Sequence, residues 1–134
     1  MKPRRFTIKG RIICAGAATG RALCSRSPLG LFGHLDPETG IYREAGHPFD
    51  GKSVKGRVLV FPRGKGSTVG SYVLYGLRKS GHAPAAMVLG ECDTIVAVGA
   101  IIGDIPTVDG VDPSRLRDGG VVTIREGEVI VEGD

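Results

Sequence analysis

The sequence predicts one α/β domain built around a strand–turn–helix–strand unit. Three observations carry this. The chain has 134 residues, the length of one domain spanning 1–134 rather than two. The run Gly56-Arg57-Val58-Leu59-Val60-Phe61-Pro62 is short, β-branched and almost wholly apolar, and a proline stops it. That is the pattern of a strand buried on both faces. A glycine-rich turn, an apolar stripe at helical spacing and a second apolar run at 85–89 follow it, which makes a βαβ unit.

The other elements are placed in chain order. Residues 5–14 read as a strand with Phe6, Ile8, Ile12 and Ile13 on its apolar side. Gly16-Ala17-Ala18-Thr19-Gly20 is too small-residued for a strand and reads as a turn or close contact, with a short strand at 22–24. Residues 25–48 read as a long loop, a length usually reserved for functional segments. Its Leu29, Leu31, Phe32 and Leu35 are expected to pack on a partner or line a site. Val69, Tyr72, Val73 and Leu77 give the helical stripe, with Ser67 or Thr68 as N-cap, Arg78-Lys79 in the last turn and Gly81 as the stop. Residues 93–102 are β-branched enough for a strand, but their length and an Asp at the start favour a buried helix. A short strand at 105–108, a helical turn opened by Asp112-Pro113 and a closing hairpin around Arg125-Glu126-Gly127 complete the chain.

Composition narrows the function. With 41% hydrophobic and 24% charged residues, the chain is neither disordered nor a helical membrane protein. The absence of a signal peptide or a long apolar run makes a cytoplasmic protein the expectation, away from membranes. No Trp and only 7 Phe plus Tyr speak against an aromatic platform for nucleic acid. Cys14, Cys24 and Cys92 are too few and too scattered for a disulfide framework or a metal knuckle, so no metal site is expected in this chain. Charge is uneven: residues 1–98 carry 15 bases against 6 acids, and 99–134 carry 3 against 8. Either a polar partner surface or two mutually attracting solvated faces would account for it.

The most informative stretch is Arg63-Gly64-Lys65-Gly66-Ser67-Thr68, at the strand-to-helix turn. Gly64 and Gly66 let the backbone approach a ligand, and a helix start favours an anion. Arg63 and Lys65 add positive charge, a field that stabilises a serine alkoxide at Ser67. The string is not a Walker A motif, because Lys65 precedes the second glycine, and it is not a G-x-S-x-G elbow. A glycine-rich turn with a capping serine is the plainer alternative. His34, His47 and His82 show no metal-ligand spacing and read as structural or solvated. Glu91-Cys92-Asp93 reads as a helix cap with a buried thiol, and Asp36 and Glu44 read as solvated.

In order along the chain come Ser27-Pro28-Leu29-Gly30-Leu31-Phe32-Gly33, Asp36-Pro37-x-Thr39-Gly40, His47-Pro48, Gly64-Lys65-Gly66-Ser67, Ala83-Pro84-Ala85-Ala86, Gly99-Ala100-Ile101-Ile102 and Ile105-Pro106. This series resembles the aconitase X swivel-domain family over almost the whole chain. The resemblance implies a swivelling β/β/α domain like the fourth domain of aconitase. It implies a small subunit of a hydro-lyase, active only with a large partner subunit that carries a [4Fe-4S] cluster. The implied reaction is the dehydration of (R)-mevalonate 5-phosphate to trans-anhydromevalonate 5-phosphate in archaeal isoprenoid synthesis. The family's catalytic serine, a proton acceptor, falls on Ser67. Arg63, Gly64, Lys65, Gly66 and Thr68 then become substrate-binding candidates, and Phe32, Gly33 and His34 a pocket loop. Where relatives carry a Ser-Phe-Trp-Gly-Gly type string, this chain has Gly30-Leu31-Phe32-Gly33-His34, so His34 either contacts substrate or replaces a glycine in a turn. Other substrates remain alternatives, such as a hydroxyproline, as does a non-catalytic anion-binding assembly module. The C-terminal part also resembles phosphohistidine swivel domains, but Ser80-Gly81-His82-Ala83-Pro84 lacks their Thr-Ser-His string, which implies a shared fold without the reaction.

Overall fold

The computed structural model describes residues 4–66 and 69–133. Strands β1 (Arg4–Lys9) and β2 (Arg11–Cys14) are one extended run bent at Gly10; of the apolar side expected for it Ile8 is buried, while Phe6 and Ile12 are exposed. There follow β3 (Ala18–Cys24), the two-residue β4 (Leu29–Gly30), β5 (Val58–Phe61) and the two-residue β6 (Gly64–Lys65). Helix α1 (Gly70–Ser80), β7 (Ala86–Leu89), helix α2 (Thr94–Ile102) and β8 (Thr107–Asp109) come next. A 3-10 turn at Pro113–Arg115 and the hairpin of β9 (Val121–Arg125) and β10 (Glu128–Gly133) close the chain.

Eight strands share one sheet in the order β1-β10-β9-β3-β5-β7-β8-β2, and β4 pairs with β6 in a small second ladder. The parallel centre is β3, β5, β7 and β8. The sheet's two edges are the two halves of the bent first run, which gives it a barrel-like form. Gly10 is required at the bend, because a Cβ there would lie 3.0 Å from the Asp109 carbonyl oxygen and 3.2 Å from Val108 Cβ. The βαβ unit is as expected: β5 and β7 pair in parallel with Val58 opposite Ala86.

Strand β5 is buried on both faces, and its alternation divides the core. Leu59 and Phe61 point to a cluster that includes Leu74, Leu77, Val96 and Ala100 from the two helices. Val58 and Val60 point to a second cluster with Val88, Val122, Val129 and Val131, enclosed by the sheet. The segment 93–102 is a helix, as its length suggests. It buries only Val96, Gly99 and Ala100, and Asp93 stands extended at its start.

Three further expectations need correction. Residues 18–20 are not a turn: they open β3 and pair with β9, and Thr19 and Thr123 share a hydroxyl bond of 3.0 Å. Their small size reflects close approach, since a Cβ on Gly20 would meet the Gly56 carbonyl oxygen at 2.6 Å. The buried stripe of α1 is Gly70, Val73, Leu74 and Leu77 with Ser71, whereas Val69 and Tyr72 face outward, Tyr72 being 69% exposed. The helix turns its small residues inward because α2 packs there; a Cβ on Gly99 would lie 2.6 Å from Leu74 Cδ1 and 3.1 Å from the Ser71 carbonyl oxygen. Finally, the long loop does not keep its apolar residues for a partner. Leu29, Leu31 and Leu35 are buried in this chain's own core with Tyr42 and Phe49, and of the four only Phe32 is exposed, at 56%.

No helix among the described residues is long and apolar enough to cross a membrane.

Candidate functional site

The glycine-rich turn is held on two sides. Parallel pairing of β4 with β6 sets Leu29 opposite Gly64 and Gly30 opposite Lys65. Leu29 N also donates to the Arg63 carbonyl at 3.0 Å. Behind the turn lies the start of α2: a Cβ on Gly64 would come within 2.7 Å of Val96 Cγ2 and 3.0 Å of Asp93 Oδ1. Gly66 has φ +104, a left-handed conformation that favours glycine, with open space where a Cβ would point. Ser67 and Thr68, including the expected N-cap, lie outside the described residues. Helix α1, 11 residues long, begins at Gly70, and its start is electropositive. Arg63 is exposed and its side chain makes no ion pair among the described residues.

Lys65 is engaged. Its Nζ donates to Glu44 Oε2 at 2.5 Å, and Glu44 Oε1 accepts from the Tyr42 hydroxyl at 2.6 Å. The Tyr42 oxygen in turn accepts from Gly30 N at 3.0 Å. Glu44, expected to be solvated, is therefore a junction. The Lys65 and Tyr42 hydrogen bonds hold its carboxyl down at about 2. Burial, then the Glu44 carboxylate, pushes the Tyr42 phenol well up. Tyr42 is fully buried, with ring centroids of His47 at 4.7 Å and Phe49 at 5.9 Å.

The pocket-loop candidates come to the same end of the domain. A Cβ on Gly70 would lie 3.2 Å from Leu31 Cβ and 3.7 Å from Phe32 N, so Phe32 stands beside the start of α1. Gly33 has φ +86. His34 lies over Gly30, where a Cβ would meet His34 Cδ2 at 2.7 Å, and its Nδ1 is 3.0 Å from the Arg43 carbonyl. A cavity of about 490 Å³ opens along this loop, lined by Phe32, His34, Pro37, Arg43 and Val73. Arg63, Gly64, Lys65, Gly66, Phe32, Gly33 and His34 thus cluster around the entry to α1. Sequence reasoning missed Tyr42 and Glu44, because Glu44 lies 21 residues before Lys65 and nothing in the sequence pairs the two.

The other titratable groups do not join them. Among the described residues, no three His, Cys, Asp or Glu side chains converge as metal ligands. The thiols do not fit an iron–sulfur cluster either: Cys14, Cys24 and Cys92 stand on separate segments, and burial pushes Cys24 up to about 11 and Cys92 to about 12. His82 Nδ1 lies 3.1 Å from Ser80 Oγ at the α1 terminus. Ser25 Oγ sits 3.5 Å from His47 Nε2 but is not an activated nucleophile. Phe49 N donates to His47 Nδ1 at 2.9 Å, so Nε2 carries the hydrogen and gives it to the Pro28 carbonyl at 3.1 Å. Asp93 occupies the N-cap position of α2 without a side-chain cap bond, and its buried Oδ1 has no hydrogen-bond partner among the described residues, so the expected cap is not made. Cys92 N instead donates to Asp109 Oδ2 at 2.9 Å, and Arg11 grips Asp109 through Nε and Nη2.

Known proteins are similar to this chain in sequence and fold. The chain is 52% identical over 131 residues to the phosphomevalonate dehydratase small subunit of Thermococcus kodakarensis, covering 95% of this chain and 98% of that one. It is likewise 52% identical to the phosphomevalonate dehydratase small subunit of Methanosarcina acetivorans, covering 93% and 89%. The crystal structure of Thermococcus kodakaraensis aconitase X in its holo-form superposes with a TM-score of 0.92 at 53% identity, over 94% of this chain and 98% of that one. The family model for the aconitase X swivel domain matches residues 7–133. With that match over nearly the whole length, and a fold that agrees with it, the chain belongs to the aconitase X swivel-domain family.

Proposed function

We propose that this chain is the small subunit of a phosphomevalonate dehydratase, a cytoplasmic hydro-lyase, with Ser67 as its proton acceptor. The enzyme removes water from (R)-mevalonate 5-phosphate to give trans-anhydromevalonate 5-phosphate. The observation that carries this reading is the convergence of the glycine-rich turn, Lys65 and the Phe32–His34 loop on the entry to α1, in a chain about half identical to small subunits of that name.

The chain's share of the reaction is the proton. Ser67 follows Gly66 and takes a proton from the carbon next to the hydroxyl-bearing one. The electron pair of that C–H bond forms the double bond as the C–O bond breaks; the departing hydroxide becomes water by taking up a proton, which Ser67 makes good by releasing the one it collected, returning the serine to its starting form. The positive start of α1 and the Lys65 ammonium favour the serine's anionic form. Arg63, Gly64, Lys65, Gly66 and Thr68 form the substrate-facing turn, and Phe32, Gly33 and His34 border it. The family implies an iron–sulfur cluster, which the thiols of this chain do not fit; a large partner subunit would hold it, and there it would supply Lewis acidity.

The test is anaerobic co-expression with the large subunit, cluster reconstitution and an assay of water loss from (R)-mevalonate 5-phosphate. Turnover is expected in the wild-type complex. It should vanish with Ser67→Ala while the two subunits still co-purify. An intact, cluster-loaded complex without turnover overturns the substrate. Full turnover by Ser67→Ala overturns the base.

A further inference from the structure

Lys65 is fixed by a closed ring of contacts. Its ammonium gives one N–H to Glu44 Oε2, Glu44 Oε1 takes the Tyr42 hydroxyl proton, and the Tyr42 oxygen takes Gly30 N–H. Gly30 is the ladder partner of Lys65 itself. The ring therefore ties the side chain of Lys65 to the strand that pairs with its own backbone. It is anchored outside as well: Glu44 N donates to Asp50 Oδ1 at 2.9 Å, and the Tyr42 ring is buried against His47 and Phe49. A lysine meant to swing onto a substrate anion has no need of such a ring, and leaving Glu44 would break the ion pair and take from the carboxylate its bond to the ammonium. The ammonium has three N–H groups, so with one on Glu44 two stay available to the turn.

We propose that Tyr42 and Glu44 are positioning residues for the dehydration: they hold the Lys65 ammonium at a fixed place beside the turn that carries Ser67. Lys65 then acts as a preorganised charge rather than as a free arm for the substrate phosphate. This rests on Ser67 being the base. The opposing idea makes a different forecast. If Glu44 only cancelled the charge of Lys65, removing its negative charge would strengthen the field at the serine or free the lysine for substrate.

The experiment is steady-state kinetics of the cluster-loaded two-subunit complex with (R)-mevalonate 5-phosphate, using Glu44→Gln, Tyr42→Phe, the double variant and Ser67→Ala. Displacing a catalytic group by about 1 Å can cost on the order of 100-fold. Glu44→Gln is therefore expected to lower kcat roughly 10- to 100-fold, with KM within about threefold, because it disturbs the base and not the binding contact. Tyr42→Phe should lower kcat less, since Lys65 keeps Glu44. The double variant should be no worse than Glu44→Gln alone, because both act through one ring. A melting temperature of the complex within a few degrees of wild type separates this loss from unfolding. Unchanged or raised kcat in Glu44→Gln overturns the proposal, and so does a change in KM alone or additive losses in the double variant. If Ser67→Ala is inactive while Glu44→Gln is silent, positioning fails and the base stands. If Ser67→Ala is fully active, both fall.

Discussion

Replacing Gly64 by alanine tests whether the serine-bearing turn is braced by α2. The added methyl would sit 2.7 Å from Val96 Cγ2 and 3.0 Å from Asp93 Oδ1. Comfortable carbon–carbon contact needs about 3.5–4.0 Å, so the overlap with Val96 is about 1 Å. Val96 is buried in a helix, where a β-branched side chain has essentially one rotamer, so it does not swing aside cheaply. Overpacking of this kind costs roughly 1–3 kcal/mol. Loss of glycine's freedom in the unfolded chain returns about 0.4–1 kcal/mol. The net expectation is a destabilisation of about 1–2 kcal/mol. Unfolding entropy of about 2.1 cal/mol/K per residue amounts to roughly 0.28 kcal/mol/K for a chain this long, so Tm should fall by about 4–7 °C. The assay is a double-mutant cycle by guanidinium unfolding and thermal melts: wild type, Gly64→Ala, Val96→Ala and the pair. Val96→Ala removes the obstructing methyl, so the Gly64→Ala penalty should shrink by about 1 kcal/mol in that background. A penalty of the same size in both backgrounds, or a stabilising Gly64→Ala, would refute the bracing of the turn by α2.

Further outcomes are expected from the charged groups, thiols and helix face. Because the Glu44 carboxyl is held at about 2 against an ordinary 4.5, its contribution to stability is complete above about pH 5 and drains away as the pH falls towards 2. Glu44→Gln should therefore flatten the acid limb of the stability–pH curve in that window, read by urea midpoints at pH 2.5–6, and an unchanged limb would contradict the ion pair. Thiols raised to about 11 and 12 are almost wholly protonated at neutral pH, so Cys24 and Cys92 should be alkylated by iodoacetamide far more slowly than a free thiol, measured by intact mass. Fast labelling of either in the native chain would contradict its burial. Tyr72→Ala should leave the chain's stability within about 0.5 kcal/mol, since the ring faces outward, whereas Leu74→Ala should cost about 2–5 kcal/mol; the two denaturant midpoints check the helix face directly.

The βαβ unit was legible because its strands are continuous apolar runs that only a two-sided burial explains, and β5 does send Leu59 and Phe61 one way and Val58 and Val60 the other. The inward face of α1 was legible only in part. Its first two residues are Gly70 and Ser71, which a hydrophobicity pattern counts as blanks; Gly99 of α2 approaches Ser71 and Leu74, and Gly70 lies against Leu31 and Ile95. Of the expected stripe, Val73 and Leu77 are buried, whereas Val69 and Tyr72 face outward and Leu74 takes their place. The long loop misled in the opposite sense. Its leucines look idle without an element around them, yet Leu29, Leu31 and Leu35 complete the core that Leu74 and Leu77 share with β5 and β7.

The site divides along the same line. Gly64, Lys65, Gly66 and Ser67 stand together in sequence, and a strand before them with a helix after them suffices to mark an anion-favouring turn. What gives Lys65 a defined place is two-residue pairing: Gly30 meets Lys65 across β4 and β6, and 12 and 14 residues beyond Gly30 the same segment delivers Tyr42 and Glu44. A two-residue strand carries no periodicity, and a glutamate in a loop looks the same whether it meets water or a lysine. Only the burial of the Tyr42 ring decides the matter. A buried hydroxyl needs partners on both sides, and those available to Tyr42 are the backbone of one strand and the carboxylate that holds the lysine of the other.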